Sequence, residues 1–176
     1  SRRARRGRRG VRARARRVWK RCSRRSRCLG IRCSLGIRCS LARRFAAAGN
    51  DLLLVARRND PLREAASHIR AESHVEVATA AIDVTATDAI PALEAALAAR
   101  GGYADVLVNS AGIGLAGRFG EQSPEALLQL LDVNVRALTA LTRHFLTGMR
   151  ARGRGGVLNL ASLGSYAPGP HQAAYD

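Results

Sequence analysis

The sequence predicts an α/β fold built on a parallel sheet covered by helices on both faces. Three observations carry this. Segments of strand length alternate with segments of helix length across residues 41–161. The strand segments are mostly continuous apolar runs, as expected where neither face of a sheet meets water. The helical segments between the strands reach ten or more residues, enough for the crossovers that join parallel strands.

Each element has its own signals. Leu41–Ala48 reads as a helix, with Gly49-Asn50 as its stop. Asp51–Ala56 is an apolar run of strand length. Pro61 sits where a helix begins, and that helix continues through Arg70. His74–Ala80 alternates apolar and polar residues, as a strand does. Thr87 can cap a helix that runs to Arg100 and stops at Gly101-Gly102. Ala104–Asn109 is a second buried-strand run. Ser123-Pro124-Glu125 opens a helix, with Ser as cap and Pro at the first helical position, and the helix extends to about Arg150. Gly156–Ala161 is the last strand. Right-handed crossovers bring the C-terminal ends of such strands to one edge, where ligands bind. The loops after Ala56, Asp83, Asn109 and Ala161 therefore converge on one site.

Charge divides the chain. Of 30 basic residues, 19 lie in Ser1–Phe45, a stretch without Asp or Glu. The net charge of +17 is thus a property of this arm and speaks to partners rather than to the fold. Residues 1–40 read as a basic low-complexity arm, expected to be disordered, and residues 41–176 as the folded domain. Ser1–Arg27 offers little apolar surface to offset chain entropy, so it is expected to be disordered. An exact tandem repeat follows, Leu-Gly-Ile-Arg-Cys-Ser at Leu29–Ser34 and again at Leu35–Ser40, too short for a solenoid. An Arg-rich arm can contact nucleic acid nonspecifically through phosphates, which gives an alternative reading of function. A transit segment is another. No apolar run is long enough for a membrane span or for the core of a signal peptide. Cys22, Cys28, Cys33 and Cys39 form no Cys-x-x-Cys pair, and His68, His74 and His144 show no metal spacing, so no metal is expected. Unpaired thiols fit a reducing, cytoplasmic setting.

Four segments go further. Asn109-Ser110-Ala111-Gly112 follows a strand. Asn134 lies in Asp132-Val133-Asn134-Val135, inside the next helix. Ser162 follows the strand after that, and Tyr175 lies 13 residues later. In this order and spacing the segments resemble the signatures of the classical short-chain dehydrogenase/reductase family, over about three quarters of the chain. The resemblance implies a Rossmann-type doubly wound parallel sheet and hydride transfer between a nicotinamide cofactor and a small carbonyl or alcohol substrate, with a homo-oligomer possible for a complete family member.

It also implies roles. Tyr175 would be the general acid in reduction and the general base in oxidation. Ser162 would hydrogen-bond the substrate oxygen and hold it close to Tyr175. Asn134, through a kink in its helix, would hold a water in the proton relay. Asn109, Ala111 and Gly112 would line the adenosine side of the cofactor, and Asp83-Val84 resembles the pair that contacts adenine. Where dinucleotide folds place an acid on the ribose 2′-hydroxyl, this chain has Ala56 followed by Arg57-Arg58. An Arg there accommodates a 2′-phosphate, which favours NADP over NAD. His171 is read as a solvent-facing loop residue rather than a substrate contact.

The pattern also breaks. The family's Thr-Gly-x-x-x-Gly-x-Gly turn falls on Ile31–Arg38, where Gly36 matches the middle glycine and Arg32 and Arg38 stand at the other two. Where the first strand belongs, Val18–Arg27 is nearly all charged or polar, so that central strand is expected to be absent. The sequence stops one residue past Tyr175, before the Lys the family places four residues after its Tyr and before the last strands. The sheet is therefore expected to be incomplete, and the chain as written to have little activity.

Overall fold

The computed structural model describes residues 27–31, 37–166 and 169–175. In chain order the elements are β1 (Arg27–Ile31), α1 (Ile37–Ala47), β2 (Asp51–Ala56), α2 (Asn59–Glu72), β3 (Val77–Ala81), α3 (Ala89–Ala98), β4 (Val106–Asn109), α4 (Pro124–Leu131), a π-helical stretch (Asp132–Ala137), α5 (Leu138–Ala151) and β5 (Gly156–Asn159). Short 3-10 turns occupy Phe119–Glu121 and Leu163–Tyr166. The five strands form one sheet in the order β3-β2-β1-β4-β5. All neighbours are parallel, with Arg27 opposite Asp51, Cys28 opposite Val106, Leu52 opposite Val77 and Val106 opposite Gly156.

The apolar runs serve both faces, as their composition predicts. Successive residues of a strand point to opposite sides. Leu52, Leu54 and Ala56 of β2 and Val106 and Val108 of β4 pack with Phe45 of α1 and with Leu62, Ala66 and Ile69 of α2. Leu53 and Val55 of β2 and Leu107 of β4 pack on the other face with Leu93 and Leu97 of α3 and with Leu141, Phe145 and Met149 of α5. The sheet is thus doubly wound.

One expectation is corrected. The first strand is present and lies at the centre of the sheet, between β2 and β4. It begins where the polar window Val18–Arg27 ends, on Arg27-Cys28-Leu29-Gly30-Ile31. Pairing along both edges fixes these residues in the sheet, a tertiary effect that outweighs a weak local signal. The two repeat copies make the same point. Leu29-Gly30-Ile31 of the first copy is strand, whereas Ile37-Arg38-Cys39-Ser40 of the second is helix. Helix α1 therefore starts four residues before the expected Leu41. The disorder expected of residues 1–40 is overturned at Arg27–Ile31, which is strand, and at Ile37–Ser40, which is helix; residues 1–26 and 32–36 lie outside the described residues.

Other boundaries shift for local reasons. Pro61 lies in the first turn of α2 rather than opening it, tolerated because N–H groups there have no helical partner. Thr87 does not cap α3. Asp83 closes a turn on Thr85, and the bonds Ala86 N to Asp83 O and Ala89 N to Ala86 O carry the chain to a helix start at Ala89. Ser123 caps α4 as expected, its Oγ accepting from Ala126 N at 3.2 Å. From Pro124 to Ala151 the helix is continuous but changes register through the π-helical stretch.

At the N-terminal edge of the sheet, Asp105 is 2% exposed and lies 3.2 Å from Arg154 Nε. Its charge is the largest cause of a rise in the Arg154 pKa above the ordinary guanidinium value. No helix among the described residues is long and apolar enough to cross a membrane.

Candidate active site

The strand order reverses at β1, between β2 and β4. In such sheets ligands bind beyond the carboxyl ends of the strands at this switch point. The loops after β2, β3 and β4 meet there. Ala56, Arg57, Asp83, Val84, Ala111 and Val133 line a crevice of about 20 Å³. The sequence singles out Arg57, Asp83, Val84 and Ala111, and the sheet brings all four together. Val133 was not foreseen, since in sequence it is one apolar residue of a long helix. Arg58 does not line the crevice and is the exposed N-cap residue of α2. Gly36 lies outside the described residues.

Asn109 is spent inside the fold. It is 4% exposed, and its Nδ2 donates to Thr142 Oγ1 on α5 and to Asn159 Oδ1 on β5, each at 2.9 Å. One side chain thus ties β4, β5 and α5 together beneath the crevice, while its own Oδ1 is buried without a hydrogen bond. Sequence reasoning missed both partners. Asn159, a polar residue inside an apolar strand, was the available signal.

Asn134 sits in the π-helical stretch, half-buried. Its Nδ2 donates to Ile113 O, and its Oδ1 accepts from Ile113 N, each at 2.9 Å. The amide therefore clamps the loop after β4 to the helix. A Cβ at Gly112 would meet Asn134 Oδ1 at 3.4 Å, so the loop passes close to the clamp. A π turn shifts the helical bonding pattern and frees main-chain groups for other partners.

Ser162 follows β5, half-buried, its Oγ accepting from Gly164 N at 3.1 Å as the 3-10 turn begins. Tyr175 is half-buried in a turn closed by its N–H on Gln172 O at 2.7 Å. The segment between them returns to the loop after β4, where Gly117 N donates to His171 O at 2.8 Å. His171 itself is exposed and takes a φ of 65°.

The sequence profile of the family described as short chain dehydrogenase matches residues 31–176. The chain belongs to this family. Over 134 residues it is 35% identical to a short chain dehydrogenase of Pseudocercospora fijiensis, covering 74% of this chain and 43% of that protein. Over 136 residues it is 35% identical to a putative ketoacyl reductase of Streptomyces coelicolor, covering 76% of this chain and 52% of that one. The solved structure of L-sorbose reductase from Gluconobacter frateurii, complexed with NADPH and L-sorbose, superposes with a TM-score of 0.80 at 32% identity, over 86% of this chain and 58% of that chain. The short-chain dehydrogenase segment described here thus spans about half the length of the curated relatives it matches. The comparisons lend nothing to the nucleic-acid reading of the basic arm.

Proposed function

We propose that the chain forms the cofactor-binding part, with the Ser and Tyr of the catalytic part, of an NADP-dependent oxidoreductase that interconverts a small carbonyl compound and its alcohol. The observation that carries this reading is the convergence of Arg57, Asp83, Val84 and Ala111, from three separate loops, on one crevice at the switch point. The residues present suit the adenosine half of the cofactor. Ala111 and Val84 are small or apolar and can pack on a base. Asp83 offers an acceptor to an exocyclic amine. Arg57 offers the planar, permanently charged fork that a 2′-phosphate needs. L-sorbose reductase, similar in structure, was solved with NADPH.

When bound, the nicotinamide supplies or accepts the hydride. The rest falls to the chain. Tyr175 gives its hydroxyl proton to the oxygen that becomes alkoxide, and takes it back in the oxidative direction. The Ser162 hydroxyl hydrogen-bonds the same oxygen and holds it within reach of Tyr175. With the Asn134 amide committed to Ile113, this residue serves the relay through the main chain of its π turn, holding a water that returns protons to Tyr175.

The test is cofactor titration of the purified chain, followed by NAD(P)H fluorescence. NADPH is expected to bind at least about tenfold more tightly than NADH, the loss of one charge-assisted bidentate contact being about 1.5–3 kcal/mol. Arg57→Asp is expected to reverse the order. Equal binding of the two cofactors, unchanged by the substitution, refutes the reading.

A further inference from the structure

We propose that Asp83 is a specificity-determining residue that competes with the cofactor's 2′-phosphate for Arg57. The inference rests on the reading of the crevice as the adenosine site, and gives Asp83 a task beyond lining it. Strands β2 and β3 are neighbours with Ala56 opposite Ala81, so Arg57 and Asp83 leave the sheet side by side. The carboxylate is held in orientation. Asp83 Oδ1 accepts from Thr85 N at 3.0 Å and from Thr85 Oγ1 at 2.8 Å, the turn Asp commonly makes with a residue two positions on. Oδ2 then lies 3.9 Å from Arg57 Nη1.

This contact is built to be exchanged. The two side chains are 44% and 41% exposed, so water screens the pair, and at 3.9 Å the contact lies at the outer limit of an ion pair. A phosphate brings more charge and can engage the fork through two oxygens. Arg57 cannot serve the carboxylate and a phosphate equally at once. A 2′-phosphate must draw the guanidinium away from Asp83 and then sits near a fixed negative charge. A 2′-hydroxyl leaves the Arg57–Asp83 pair as it is. Asp83 thereby lowers the crevice's preference for the phosphorylated ribose and sets how far the two cofactors are told apart.

The experiment uses 2′-AMP and adenosine, which differ only in the phosphate, titrated by calorimetry against the whole chain and its variants. The wild type is expected to bind 2′-AMP more tightly than adenosine. Asp83→Asn keeps an oxygen for Thr85 and is expected to raise that ratio about two- to fivefold, the scale of an exposed ion pair. Asp83→Ser, which removes the charge with a smaller side chain, is expected to raise it likewise. Arg57→Gln should abolish the preference, and adding Asp83→Asn to it should raise the ratio by less than Asp83→Asn does in the wild type, because only the direct repulsion is then relieved; the difference is the coupling that a double-mutant cycle reads. Absence of any wild-type preference for 2′-AMP overturns the cofactor reading and this inference with it. A wild-type preference that depends on Arg57 but is unchanged or lowered by both Asp83 variants leaves the cofactor reading standing and overturns the role of Asp83.

Discussion

Replacing Gly155 with Ala tests how tightly the junction of α5 and β5 is built. Gly155 has a φ of 137°, and a Cβ placed there would lie 2.5 Å from Met149 Cγ, 2.7 Å from Met149 Cβ and 2.9 Å from the Asp105 carbonyl oxygen. None of these atoms can move freely. Met149 is 3% exposed in the core beneath α5, and the Asp105 carbonyl accepts from Gly156 N at 2.9 Å where β4 and β5 begin. Two costs therefore add. The backbone conformation costs a non-glycine residue about 1–3 kcal/mol, and forcing a methyl group into a packed core costs about 1–3 kcal/mol more. The total is about 4 kcal/mol, a large share of the 5–15 kcal/mol typical of a whole domain. Gly153→Ala separates the two contributions. Gly153 has a φ of 65° with nothing within 4 Å of a Cβ, so only the left-handed backbone matters, at about 1–2 kcal/mol. With a urea m-value of about 2 kcal/mol/M, the midpoint falls by about 2 M for Gly155→Ala and by less than about 1 M for Gly153→Ala. Equal losses for the two variants, or a loss below about 1 kcal/mol at Gly155, would show that the junction relaxes around an added methyl group.

Ser123→Ala removes the cap of α4 and is expected to cost about 1 kcal/mol in the same urea assay, with Ser123→Asp close to wild type. Asn134→Ala leaves both main-chain groups of Ile113 without their side-chain partner; a loss of about 2 kcal/mol and faster amide exchange at Ile113 are expected. Asn109→Ala removes two hydrogen bonds inside the fold and is expected to cost about 2 kcal/mol whether or not cofactor is present, whereas a cofactor contact would show its effect mainly in NADPH affinity.

How much could be read from the sequence depended on the range of the interactions. Asp51–Ala56 and Ala104–Asn109 announce themselves as strands because burial on both faces demands an unbroken apolar run, which is visible locally. Ser123-Pro124 announces a helix start because capping involves residues three apart. β1 was illegible because an identical tripeptide, Leu-Gly-Ile, occurs in both repeat copies, and only pairing with β2 and β4 makes the first of them strand. The crevice was legible through topology, since parallel crossovers gather loop ends whatever those loops contain. The place of Asn109 was not, because its partners Thr142 and Asn159 lie 33 and 50 residues away and nothing near Asn109 points to them.

The central position of β1 has a kinetic consequence. Pairing Arg27 with Asp51 closes a loop of 24 residues, whereas pairing Cys28 with Val106 closes one of 78. In an unfolded chain the longer closure costs about 1 kcal/mol more entropy, since the cost grows only with the logarithm of length. The β1–β2 contact should thus form first, with β3 beside it, and present the open side of β1 as a template on which β4 and β5 dock later. Until they do, that side of β1 is an unpaired edge in the middle of the future sheet, open to the corresponding strands of another molecule. Refolding at rising protein concentration should therefore lose yield through association at this step, and adding a separate peptide spanning β4 should compete with it.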